Sequence, residues 1–377
     1  MDAIYTQTHR YLDITILTTL PPNCVNRDDT GRPKTVLFGG AQRQSPSSQF
    51  LKRGWRRASI TGFRVARSTY APLKVAELLG VSDNPEARKN IAEVLYGGSF
   101  KGKKADEGKT NGLLFYGARE LDFIAEALKP HLPELTKTHK DAKSLEKLVL
   151  LLDKTLHKAL SESPHEAAII ALYGRMCTNT GLSQASDAAL SVSRAMSTSA
   201  VAMQTDYFTA IDDSRPSESD EGAGAGFLGR KEFCSGSNLL LQYRINLDLL
   251  RSNAGFSGED AAQEGALQEV VGDFIRTSLA SPMPGAANQG VFATSPRTHA
   301  AIFRVAQGMP FDMAPAFLTP SKATDSMPKD TQRLFEFLEA GEKAWGPATA
   351  TLKFDYTSQN LEEFTKSCLK VAFSSQA

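Results

Sequence analysis

Nine basic residues between Thr30 and Arg67 stand with no Asp or Glu among them: Arg32, Lys34, Arg43, Lys52, Arg53, Arg56, Arg57, Arg64 and Arg67. Arg offers phosphate a planar donor fork and Lys a compact point charge, so a face built from them suits a polyanion backbone without proton transfer. The plainer reading of the same run is a solvated helix whose acidic partners come from elsewhere in the fold. Catalytic spacings are missing. His9, His131, His139, His157, His165 and His299 form no HxH or HxxxH pair, and Cys24, Cys177, Cys234 and Cys368 form no CxxC; no metal, redox pair or cofactor is expected. No GxSxG elbow is present. Gly108-Lys109-Thr110 suggests the tail of a phosphate-binding loop, but Lys103 stands where the first Gly is required. Gly222, Gly224 and Gly226 lack the strand-turn-helix setting of a dinucleotide site. Asp28-Asp29 and Asp212-Asp213 are the adjacent acidic pairs that a metal-dependent nuclease could use, and such pairs equally cap turns.

The elements that would position these residues follow from periodicity. Tyr11 to Thr18 alternates as a half-buried strand does, with Leu12, Ile14 and Ile16 on one face. Ser45, Ser47 and Ser48 offer caps for a helix from about Gln49 to Ala58, on which Lys52/Arg56 and Arg53/Arg57 are i,i+4 pairs beside an apolar stripe of Leu51 and Trp55. Residues from about Ala71 to Leu160 read as mostly helical. Within them a helix from about Asp141 to Leu160 carries Lys140, Lys143, Lys147, Lys154 and Lys158 along one side and Leu145, Leu148, Val149, Leu152 and Leu156 along the other. From Ala167 to Asp213 strands are expected, then a flexible tip at Ser214 to Gly226. A long strand is expected from Glu232 to Leu250, a helix from Gly258 to Ala280, a short strand from Val291 to Ala293, and helices at Thr331 to Ala344 and Leu361 to Val371. This order implies an α+β sandwich with large insertions.

The chain has 377 residues, 43 Lys+Arg against 42 Asp+Glu, and a mean hydropathy of −0.28. The net charge of +1 conceals a segregation, basic from Thr30 to Arg67 and acidic from Asp206 to Glu232, which lets one surface hold a polyanion. No run reaches the roughly 18 apolar residues of a membrane helix, and Leu12 to Leu20 follows no basic leader, so a soluble cytoplasmic protein without a membrane partner is expected.

Three ordered blocks then carry a resemblance. Asn23-Cys24-Val25-Asn26-Arg27-Asp28-Asp29, Phe38-Gly39-Gly40 and Ser47-Ser48-Gln49-Phe50-Leu51-Lys52-Arg53 form the first. Gly174-Arg175-Met176 with Asp187-Ala188-Ala189-Leu190-Ser191-Val192 forms the second, and Asp206-Tyr207-Phe208-Thr209-Ala210-Ile211-Asp212-Asp213 the third. Phe233-Cys234-Ser235-Gly236 and Pro284-Gly285 continue the series. Together they resemble the CasC-type backbone subunit of the type I-E CRISPR Cascade over about residues 8 to 295.

The resemblance implies an RRM-like (ferredoxin-like) palm with a helical fingers insertion and a β-hairpin thumb. In this chain the palm would comprise residues 1–70, 166–192 and 235–377, the fingers 71–165 and the thumb 193–234. Copies would line up along the CRISPR RNA spacer and present it to target DNA, beside other Cascade subunits, without catalysis. Arg27, Lys34, Ser47, Gln49, Lys52, Arg53 and Arg56 match palm positions that grip the RNA backbone. Met176 matches a methionine beside a displaced nucleotide, and Tyr207, Phe208 and Thr209 match the thumb, where aromatic stacking tolerates any base. Lys140, Lys143 and Lys147 match a Lys-rich fingers helix that attracts duplex DNA. The loop after Pro284-Gly285 reads Ala286-Ala287-Asn288-Gln289 and lacks the cation common in the family. Two rival readings are an endoribonuclease of the type III backbone class using Asp28 or Asp29, and a generic RNA-binding protein.

Overall fold

The computed structural model describes residues 9–59, 65–95, 109, 113–139, 145–175, 186–211, 225–284, 295–322 and 325–374. Along the chain run β1 (Arg10–Leu20), β2 (Thr35–Phe38), β3 (Ala41–Gln44), α1 (Ser48–Ala58), β4 (Val65–Ser68), α2 (Ala71–Leu78), α3 (Pro85–Leu95), β5 (Leu114–Gly117), α4 (Ala118–Leu128), α5 (Leu132–Leu135), α6 (Glu146–Glu162) and α7 (Pro164–Tyr173). Then follow β6 (Leu190–Val192), β7 (Met196–Ser197), β8 (Met203–Ile211), β9 (Ala225–Cys234), β10 (Ser237–Asn246), α8 (Leu247–Ala254), α9 (Ala261–Ala280), β11 (Thr298–Gln307), α10 (Met327–Trp345), β12 (Ala350–Asp355) and α11 (Leu361–Phe373). The class is α+β, with antiparallel sheet and helices, and none of the described helices is long and apolar enough to cross a membrane. The chain divides into two compact units, one of residues 1–59, 192–244 and 274–377, the other of 60–191 and 245–273.

The first unit is built on a sheet with strands in the order β12-β11-β1-β10 and β7 against β10. Its central strand β1 is buried on both faces from Tyr11 to Thr18, not half-buried. Asp13 lies opposite Arg304 in the antiparallel β1/β11 register, and the Arg304 Nη1 stands 3.6 Å from its carboxylate while Nε stands 3.5 Å from Glu342. Burial outweighs the Arg304 and Arg244 charges and raises the Asp13 carboxyl to about 6. Leu17, Leu240, Ile302, Phe317, Leu334 and Leu338 make a core beneath α10. On the opposite face of β10, three residues from Leu240, Tyr243 packs against Trp55 of α1 at 5.0 Å between rings, with Phe274 5.6 Å from Trp55. The indole is 1% exposed, so α1 is anchored to the sheet by one large side chain. Strands β8 and β9 form a separate hairpin, Met203 opposite Cys234 and Ile211 opposite Ala225.

In the second unit, α2, α3, α4 and α6 enclose Val75, Ile91, Leu121, Ile124, Leu128, Leu148 and Leu152. The apolar side of α6 is the one its leucine spacing predicts. The expectation of strands from Ala167 to Asp213 holds in its later part, where β6, β7 and β8 lie, and fails at its start, because Pro164–Tyr173 is a helix and residues from Glu166 to Tyr173 are all buried. Buried on every side, it shows no amphipathic period, while Pro164 supplies the N-terminal first-turn residue of α7. The long strand expected from Glu232 also breaks. Ser235-Gly236 separates β9 from β10, and the Asn246 side chain accepts from Leu249 N–H to start α8. The helix expected from Gly258 begins at Ala261, and β11 and β12 lie where the sequence pattern signals no strand. The expected strand at Val291 to Ala293 lies outside the described residues.

Candidate nucleic-acid interface

Helix α1 runs from Ser48 to Ala58 and has no acid in its first turn and Arg56 and Arg57 in its last. Ser47 is its N-cap: its hydroxyl accepts from Phe50 N–H at 3.3 Å, and its own N–H donates to Asn26 Oδ1 at 2.9 Å. The Lys34 N–H in turn donates to the Asn26 carbonyl at 2.7 Å, and Ser45 N–H to the Lys34 carbonyl at 2.8 Å. The backbone from Asn26 to Lys34 is therefore stitched to the start of α1, which brings the Arg27 and Lys34 positions beside Ser47. At 100° per residue Gln49, Lys52, Arg53 and Arg56 fall within about 100° of one another, away from buried Leu51 and Trp55. Gln49, Arg53 and Arg27 are exposed; Lys34, Lys52 and Arg56 are half-buried. Ser47 is buried, so its hydroxyl serves the helix terminus. Gly54 lets the chain at Pro284 approach closely, since a Cβ there would lie 2.7 Å from the Pro284 carbonyl oxygen.

Three members of the basic run are engaged within the protein itself. Arg43 is 0% exposed and donates to the backbone carbonyls of Phe38, Ser197, Thr198 and Phe317, bracing the β2-β3 hairpin. Arg67, in the other unit, donates to the Tyr173 and Gly174 carbonyls and lies 4.8 Å over the Phe115 ring. Arg32 is paired with Glu232 at 3.1 Å. Arg64 lies outside the described residues. Asp28, the candidate catalytic acid, closes a turn: its Oδ1 accepts from Thr30 N–H at 2.9 Å, Thr30 hydroxyl at 2.8 Å and Arg32 N–H at 2.9 Å. The Thr30 hydroxyl bond leads in holding this carboxyl below its usual range. Asp29 is exposed next to it. Among the described residues no three His, Cys, Asp or Glu side chains cluster as metal ligands would.

On the hairpin Tyr207 is 63% exposed and lies opposite Arg230 in the β8/β9 register. Phe208 and Thr209 continue the strand. Lys147 is exposed on α6, whereas Lys140, Lys143, Met176 and the Asp212-Asp213 pair lie outside the described residues, as does the loop at 286–289.

The family described as CT1975-like protein matches residues 12–374. The chain belongs to this family. Solved structures share the family member's fold. One, described as a CRISPR RNA-guided surveillance complex, pre-nicking, superposes with a TM-score of 0.78 at 23% identity, over 96% of this chain and 100% of the other. A second, described as a CRISPR RNA-guided surveillance complex, gives 0.69 at 19% identity over 96% and 99%. No curated protein matches the chain.

Two cations beside the expected set were missed from sequence. Arg194 reaches back to the start of α1, where its Nε donates to the Ser45 hydroxyl at 3.1 Å and Nη2 to the Ser45 carbonyl at 3.3 Å. Arg230 sits across from Tyr207. Neither stands in a basic run, and only strand pairing or a fold-level contact could reveal them.

Proposed function

We propose that this CT1975-like family member is a non-catalytic backbone subunit of a CRISPR RNA-guided surveillance complex, most akin to the CasC-type subunit of type I-E Cascade. It binds CRISPR RNA, repeats along the spacer in the cytoplasm, and presents the guide to target DNA beside other subunits. The observation that carries this reading is the acid-free face of α1, with the Arg27 and Lys34 positions held beside its capped N-terminus. Phosphate neutralisation needs only such a fixed row of donors, and sequence choice is delegated to guide pairing. The family match and the fold shared with two surveillance-complex chains support it. In the same reading the first unit supplies the RRM-like palm, β8-β9 the thumb, the helices from α2 to α6 the fingers, and Tyr207 a stacking platform beside the strand.

Sequencing the RNA that co-purifies with the native particle tests the proposal. Repeat-spacer transcripts are expected; scattered cellular RNA would favour a generic binder. Asp28 is committed to its turn, so a complementary RNA incubated with the assembly and Mg²⁺ should stay whole. Regular cuts abolished by Asp28→Ala would establish the endoribonuclease instead.

A further inference from the structure

A hydrogen-bonded relay crosses the sheet of the first unit sideways, through the neighbouring strands β10, β1 and β11, at the end where β1 finishes. It starts at Asp330 of α10, which is 1% exposed and accepts from the Ser321 and Thr198 hydroxyls at 2.6 and 2.7 Å and from Asn238 Nδ2 at 2.8 Å. A carboxylate only accepts, so the Asn238 amide is fixed with its Oδ1 turned the other way, where it accepts from the Thr19 hydroxyl at 2.9 Å. Thr19 has a single proton and gives it to Asn238. Its oxygen, 3.3 Å from His299 Nδ1, therefore accepts from the ring. The relay sets the tautomer: Nδ1 carries the hydrogen and Nε2 keeps its lone pair. Burial lowers the His299 pKa below its usual range, which keeps the ring neutral at pH 7.

Among the described residues Nε2 finds no hydrogen-bond partner, and it is not sealed from water. Tyr356 is the cross-strand neighbour of His299: its N–H donates to the His299 carbonyl at 2.9 Å, and its ring, 5.0 Å from the imidazole, leaves the residue 48% exposed. An exposed aromatic beside a fixed acceptor suits a flat ring that stacks and a hydroxyl that donates. Exposed Arg297 stands two residues before His299, and from this same end of β1 the chain runs into the Asn26–Lys34 segment that is stitched to α1. We propose that Tyr356 and His299 hold one unpaired nucleotide of an RNA strand, the base stacked on the Tyr356 ring and the ribose 2′-hydroxyl donating to His299 Nε2. Stacking accepts any base, whereas the acceptor separates ribose from deoxyribose, which could stack but would leave Nε2 unmet. The site rests on the RNA reading above and adds a sugar-reading contact to a face that otherwise meets phosphates.

Fluorescence anisotropy on the full chain, comparing a labelled single-stranded RNA with the 2′-deoxy strand of the same sequence, tests it. Tyr356→Ala should weaken RNA binding about tenfold. His299→Phe, which keeps a flat ring and removes the acceptor, should lower the RNA-to-DNA affinity ratio about fivefold. A ratio that His299→Phe leaves unchanged, or RNA binding that Tyr356→Ala leaves unchanged, would overturn the proposal. Nitrogen-15 NMR of the histidine-labelled chain, with the signal assigned by its loss in His299→Phe, should show a bare Nε2; a hydrogen on Nε2 would refute the relay. Should either variant fail to fold, photocrosslinking of 5-bromouridine-bearing RNA to the unaltered chain still decides, since an adduct at Tyr356 is expected and its absence refutes the site. Repeat-spacer RNA in the native particle with no effect of either substitution sinks this site alone. Both effects on the chain, with no such RNA in the native particle, sink the guide reading alone.

Discussion

Replacing Lys52 and Arg56 together with Ala should flatten the salt dependence of RNA binding without loosening the fold. Five cations surround the capped end and outer face of α1: Arg27, Lys34, Lys52, Arg53 and Arg56. If each neutralises one phosphate of a single strand, log affinity falls with log salt at about −0.7 per contact, a slope near −3.5 in all. Without Lys52 and Arg56 it should be about −2.1, so a tenfold rise in salt costs the parent about 3.5 decades of affinity and the double variant about two. Helix α1 should survive, because Leu51 and Trp55 carry its packing and Ala is the best helix former. Fluorescence anisotropy of a labelled single-stranded RNA across a KCl series reads the slope, and circular dichroism checks the helix. An unchanged slope in a folded variant would remove these residues from the interface and refute the phosphate-grip argument.

Other consequences test the frame that holds the site. Arg43→Met should strand the carbonyls of Phe38, Ser197, Thr198 and Phe317 in the interior; hydrogen bonds to charged groups contribute about 1.5–3 kcal/mol each, so a loss of several kcal/mol in chemical denaturation is expected. Tyr207→Ala, a change on an exposed strand position, should leave stability within about 0.5 kcal/mol yet weaken RNA binding by roughly 1–3 kcal/mol if one base stacks there. Asp13 has a folded pKa of about 6 against the usual 3.8, so its contribution favours the native state most below pH 3.8 and is lost as pH rises through 6. Between pH 7 and 4 the parent should gain up to roughly 3 kcal/mol from this group, other titrations aside, and Asp13→Asn should remove that gain in urea titrations at each pH.

The parts of the structure legible from sequence are those where local pattern and tertiary environment agree. Helix α1 shows its cap in Ser47 and its buried stripe in Leu51 and Trp55, and α6 shows its leucine side. Strand β1 was half legible: its alternation marks a strand, but the burial of Asp13 and Thr15 depends on β11, where Arg304 lies some 290 residues away. Helix α7 was misread because burial on all sides erases the period that identifies a helix. Among the cations, charge alone could not separate exposed Arg53 from buried Arg43, since the latter's partners are backbone carbonyls of residues 197, 198 and 317 rather than nearby acids. Arg194 shows the converse, an isolated cation that the fold carries to Ser45.

The most direct test of the account is ultraviolet crosslinking of the native particle followed by peptide mass mapping. RNA adducts should concentrate on the peptides spanning 26–34 and 47–57, with a second group on the hairpin around Tyr207. Adducts confined to other segments, with 47–57 left unmodified, would contradict the claim that α1 grips the RNA backbone.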